Sequence, residues 1–169
     1  MKNILLLNLV LLISVYATAQ QENSKKELRQ QRNSEEFAAL REMIDSGKYE
    51  FQAQKFLSRK GRSIDLTTHT AYLRVDSVNT EAVLPYFGQA YNVGYSSDAG
   101  GINFRGEIID LKQSVNERKQ SITLTFSVKE STDTFDCTLT VFRSGSATLT
   151  ITSQKRDPAN YNGLLIDKN

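Results

Sequence analysis

The sequence predicts an α+β domain in which an N-terminal helix packs on an antiparallel, curved sheet of five or six strands. Three observations predict it. The C-terminal half alternates with a period of two: Ile122, Leu124, Phe126 and Val128 are interleaved with Thr123, Thr125 and Ser127. An earlier segment, Phe37, Leu40, Met43 and Ile44, repeats at helical spacing instead. Short polar links such as Arg143-Ser144-Gly145-Ser146 join the alternating runs, so successive strands form a meander.

The chain opens with Lys2, then an apolar run from Ile4 to Val15 broken only by Asn8 and Ser14, then Ala17-Thr18-Ala19. That is the pattern of a secretory signal peptide over residues 1–19, cleaved after Ala19. The run is shorter than the roughly 20 apolar residues a membrane span needs. No cysteine follows the cleavage site, so neither a lipid anchor nor stable membrane insertion is expected after cleavage. The expected location is the periplasm or the medium.

Residues Gln21 to Ser46 read as a helix, with the very polar stretch 20–33 as a frayed or disordered lead-in and a sharper signal from Ser34. A single domain is expected over 34–169, a length that suits one real core. The formal net charge of +2 falls to +1 once Lys2 leaves with the leader. A balance so close to neutral implies no nucleic acid and no anionic membrane as partner. Cys137 is the only cysteine, so stability must come from packing. It sits in phase within an alternating strand and reads as a small buried hydrophobe.

Ser34 is the expected N-cap of the helix, with Glu35 and Glu36 in its first turn, and Gly47 is the expected stop. After Gly47 the period changes to two. Tyr49, Phe51 and Ala53 alternate with Glu50, Gln52 and Gln54 to give the first strand, and Ala71, Leu73 and Val75 mark the second. Glu81 to Val83 reads as one helical turn before Pro85. Ile102, Phe104 and Gly106 open the third strand. Three meander strands follow, centred on Leu124, Leu139 and Leu149. The closing run Tyr161 to Ile166 reads as a short edge element, and the sheet as a whole is expected to curl toward a half-barrel.

Chemistry is sparse. His69 is the only histidine, so a Ser-His-Asp triad or a zinc site would have to include it, and its neighbours are threonines. No phosphate-loop or dinucleotide fingerprint occurs among the glycines. Neither a metal nor another cofactor is expected, and no catalytic residue is assigned. The threonine-rich outer face of the meander fits β-propensity without any ligand.

One stretch stands apart. Residues 84–106 hold five of the nine glycines and three of the seven tyrosines, a density that fixes one backbone path with rings on either side. The candidate ligand-binding residues are Tyr86, Phe87, Tyr91, Tyr95, Asp98 and Phe104. Their expected partner is a small molecule, a glycan or an envelope protein. The favoured reading is a noncatalytic cell-envelope binding or accessory module. An alternative is a small hydrolase or lyase that pairs the carboxylates of Asp98 and Glu107. Another is a structural partner in an envelope assembly, docking through the helix or a sheet edge.

The motifs Leu84-Pro85-Tyr86-Phe87-Gly88, Gly100-Gly101-Ile102-Asn103-Phe104-Arg105-Gly106 and Tyr161-Asn162-Gly163 resemble those of an exported bacterial family called domain of unknown function 4251, found mainly in Bacteroides-type bacteria. The likeness covers about residues 34–166. Leu111 departs from it where an aromatic is expected. The resemblance implies a signal peptide, a charged helix and a strand-rich remainder. It implies no activity, cofactor or catalytic residue.

Overall fold

The computed structural model describes residues 25–59, 61–89, 101–130 and 133–168. The chain divides into two units, Met1–Glu36 and Phe37–Asn169. Residues 25–45 are helical and form α1. In the first unit the described residues present a solvated helical surface. Gln31 Nε2 donates to Glu35 Oε1 at 2.9 Å, and Arg32 pairs loosely with Glu36. Ser34 does not cap a helix start, because helix already precedes it; its hydroxyl donates back to the Gln31 carbonyl at 2.7 Å.

The second unit is a β-barrel. Its strands are β1 (Lys48–Leu57), β2 (Ser63–Asp65), β3 (Tyr72–Asp76), β4 (Asn79–Pro85), β5 (Gly101–Asn116), β6 (Ser121–Lys129), β7 (Thr134–Phe142), β8 (Ser146–Thr152) and β9 (Ala159–Asp167). All pairings are antiparallel, and the order β1-β3-β4-β5-β6-β7-β8-β9 returns to β1. Eight strands therefore close on themselves. β2 is additional and pairs with the second half of β1, on the edge whose first half is taken by β3. The chain between β2 and β3, residues 66–71, is an excursion from what is otherwise one strand track.

This corrects the expected α+β fold with an open sheet of five or six strands. Two strands account for the difference. Thr80, Ala82 and Leu84 face inward in β4, where Glu81 to Val83 had suggested a helical turn. Pro85 is tolerated as the final residue of that strand. The C-terminal run, expected at an edge, pairs with β8 on one side and β1 on the other. Closure also needs local bending. β1 is irregular between Ala53 and Lys55, and β5 is irregular between Ile109 and Lys112, where Asp110 has φ of 56°. At the seam, Gly163 approaches β1 so closely that a Cβ would collide with the Gln52 carbonyl.

Side chains fill the barrel, as expected for eight strands. Phe51, Leu73, Leu84, Ile122, Phe126, Leu139, Leu149 and Tyr161 are all at most 1% exposed. Each such burial contributes about 1.5–3 kcal/mol. Phe37, Leu40 and Ile44 of α1 join this core. They lie at the end where β5 turns into β6, tied by Arg41 Nη2 donating to Glu117 Oε1 at 2.6 Å and Gln113 Nε2 donating to Asp45 Oδ1 at 3.2 Å. Gly47, at φ of 70°, ends the helix as expected. The opposite end, called the mouth below, carries the links β1–β2, β4–β5, β6–β7 and β8–β9. Among the described residues, no helix is long and apolar enough to cross a membrane.

Candidate functional site

The mouth is built from strand ends. β1 delivers Phe56, β9 delivers Tyr161, and β4 runs directly into Tyr86 and Phe87. Phe56 is the hub. Its ring lies 6.1 Å from Tyr86 and 5.4 Å from Tyr161, both edge-on, and 5.5 Å from Phe87. Edge-to-face packing at these separations is favourable beyond simple burial. Phe56 and Tyr161 are sealed, and Tyr86 is nearly so. Phe87 is 46% exposed and forms the outer layer of the cluster.

The hydroxyls face inward onto backbone. Tyr161 donates to the Pro85 carbonyl at 3.0 Å. The Tyr86 hydroxyl lies 2.7 Å from the Gln89 carbonyl oxygen and 3.0 Å from that of Asp157, and its one proton serves those two acceptors. The Asp157 N–H also donates to the Gln89 carbonyl at 3.0 Å. Gly88 is required here, since a Cβ would run into the Tyr86 hydroxyl and ring. Burial pushes the Tyr161 hydroxyl far above its ordinary pKa, with the nearby Tyr86 adding to the effect. Tyr161 is therefore not an acid or base near neutral pH.

Cations rim the cluster. The Arg156 guanidinium sits 5.6 Å from the centre of the Tyr86 ring and donates through Nη1 to the Gly101 carbonyl. Arg59 stands 3.7 Å from Asp157. The link between β8 and β9 thus clasps both described ends of the β4–β5 connection, Gln89 and Gly101. Sequence reading missed Phe56 and Arg156, because segments distant in the chain bring them to the mouth.

The candidate residues fall in three places. Tyr86 and Phe87 share the mouth cluster. Phe104 is inside the barrel, 3% exposed and stacked on Phe135 at 4.9 Å. Tyr91, Tyr95 and Asp98 lie outside the described residues. Glu107, the other carboxylate considered, is exposed on β5 opposite Asn79. Cys137 is fully buried, and burial raises its thiol pKa far above the ordinary value. Among the described residues no group of three His, Cys, Asp or Glu side chains gathers closely enough to hold a metal ion. Away from the mouth, a polar groove of about 360 Å³ opens over the 66–71 excursion between Gln52, Gln54, Thr67, His69 and Tyr72.

No curated protein matches the chain. Among solved structures it is similar to a DUF4251 family protein from Bacteroides eggerthii, at 19% identity and a TM-score of 0.61, over 78% of this chain and 87% of that one. At that identity the likeness speaks to the fold. The sequence model of the family described as domain of unknown function (DUF4251) matches residues 31–165. The chain belongs to the DUF4251 family.

Proposed function

We propose that this protein is a noncatalytic binding module of the cell envelope that takes its ligand at the mouth of the barrel. The observation that carries the reading is Phe87. The Phe87 ring packs on the sealed ring of Phe56 with one side and, at 46% exposure, leaves the other side open for apolar contact. On the same rim Arg156 lies over the Tyr86 ring and Arg59 pairs with Asp157. Tyr91, Tyr95 and Asp98 belong to the same connection in sequence. A leader over residues 1–19 would export the chain to the periplasm or medium. A small molecule or glycan suits a rim that combines one exposed ring with hydrogen-bonding groups.

The test is native mass spectrometry of protein recovered gently from its own cell envelope, wild type beside Phe87→Ala. The reading expects a reproducible added mass of ligand size on the wild type and its loss in the variant, with thermal stability unchanged. A bare wild-type chain, or an added mass that survives Phe87→Ala, would count against it.

A further inference from the structure

β5 is twice the strand its neighbours require. Its first half, through Glu107, pairs with β4, and its second half pairs only with β6. Ile108 makes one further backbone bond, to the Val78 carbonyl at 2.8 Å. Beyond it, among the described residues, no backbone hydrogen bond reaches residues 109–116 on the side away from β6. All eight of those residues are exposed. Three are apolar and unusually bare: Ile109 at 41%, Leu111 at 54% and Val115 at 39%, with Val78 at 62% beside the start of the segment. An open strand edge carrying apolar side chains is a template for another strand, and natural proteins normally blunt one. α1 meets this segment through Asp45, which accepts from Gln113, and through Arg41, which donates to Glu117.

We infer that this edge is where two copies of the chain join, β5 against β5, antiparallel about a two-fold axis at Gln113. Side chains set that register. A two-fold axis normal to the sheet requires a residue to face its own copy. Centring on Lys112 would place two ammonium groups opposite each other, which is unfavourable. Centring on Leu111 would run the pairing through the left-handed Asp110. Centring on Gln113 sets Leu111 opposite Val115 twice, and Lys112 opposite Ser114. Leu111 and Val115 then cover one another, and no like charges oppose. A strand-edge interface of this size falls in the weak, small-area class. The inference is independent of the reading of the mouth.

The test is sedimentation velocity of the purified protein over about 10–500 µM, the range a weak interface of this class calls for. The expected result is a monomer–dimer equilibrium that Leu111→Lys weakens at least about tenfold, with the circular dichroism spectrum and Tm unchanged. Cross-linking gives a second readout. Opposed residues have Cα atoms about 4.5–5.5 Å apart, within disulfide range. Cys137 is buried, so Gln113→Cys introduces the only accessible thiol among the described residues. It is expected to oxidise to a covalent dimer, whereas Thr148→Cys, exposed on the opposite strands, is not. A monomer throughout the range, a dimer indifferent to Leu111→Lys, or equal cross-linking of both cysteine variants would overturn the proposal.

Discussion

Glu50 and Arg74 face each other on the outside of the barrel, and the guanidinium donates twice to one carboxylate oxygen, from Nε at 2.9 Å and Nη2 at 2.8 Å. Lys168 adds a second cation at 3.3 Å, and the Glu50 side chain is only 6% exposed. The pair is the inner end of a ladder. Arg74 lies opposite Glu81 and Glu81 opposite Arg105, with Arg105 Nη2 2.6 Å from Glu81 Oε1. Charges of alternating sign thus cross four adjacent strands in one row. Tyr72 underlies it, 4.7 Å from the Arg74 guanidinium.

The two ends of that row should respond differently. Glu50→Ala removes the covered carboxylate that accepts from two cations, themselves 35% and 45% exposed, and is expected to cost about 1.5 kcal/mol. Arg105→Ala removes a side chain that is 77% exposed and should cost less than about 0.5 kcal/mol. Urea denaturation of the two variants checks the contrast. Equal losses would mean that the row acts as a unit rather than through its buried end.

Acid should find the same residue. Burial pushes the Glu50 carboxyl up, but hydrogen bonds from Arg74, Gln52 and Lys168 outweigh it and hold the pKa below the ordinary value. A lowered folded pKa contributes stability that is complete above the unfolded value, about 4.3, and is lost as pH falls through the folded one. The stability of the wild type should therefore drop on acidification below about pH 4.3. Glu50→Gln, less stable at neutral pH, should lose less over that window. Parallel curves would show that Glu50 is not the group being titrated.

The barrel seam depends on Gly163. Any side chain there meets the backbone of β1 at Gln52. Gly163→Ala is expected to cost about 3 kcal/mol, or roughly 10 °C in Tm. Gly61→Ala is the useful comparison for steric collision, since nothing lies within 4 Å of a Cβ there, although its φ of 76° adds backbone strain. A Gly163→Ala variant as stable as wild type would contradict the close β1–β9 approach.

Cys137 should be silent. It is fully buried, and burial disfavours its thiolate. Native protein should not react with a thiol reagent in the time that fully denatured protein reacts to completion. Rapid native labelling would show the β6–β8 wall opening far more readily than its packing allows.

Much of this fold was legible locally. β6, β7 and β8 announce themselves through strict alternation around Leu124, Leu139 and Leu149, and Phe37, Leu40 and Ile44 mark the packed face of α1. Closure was not legible, because it rests on pairing between β1 and β9 across more than a hundred residues. Nothing in either strand specifies the other except Gly163. β4 was obscured by Pro85, whose strand-breaking tendency does not matter at a strand end. Ser34 looked like a cap because acidic residues follow it, but the polar residues from 25 onward are already helical. The aromatic and glycine density around Tyr86 and Phe87 was visible in sequence, whereas the Phe56 hub and the Arg156 clasp required the barrel to bring them there. The Glu50–Arg74–Glu81–Arg105 row needed a strand register that no single segment encodes.

The most direct test of the account is to map binding on the folded protein by amide chemical shifts. Isotope-labelled protein would be titrated with the small-molecule and glycan fraction of its own cell envelope. The account predicts saturable shifts concentrated at Phe56, Tyr86 to Gln89 and Arg156 to Tyr161, with the β6–β8 wall unmoved, and their loss in Phe87→Ala. Saturable shifts confined to other surfaces, or none at the mouth, would contradict it.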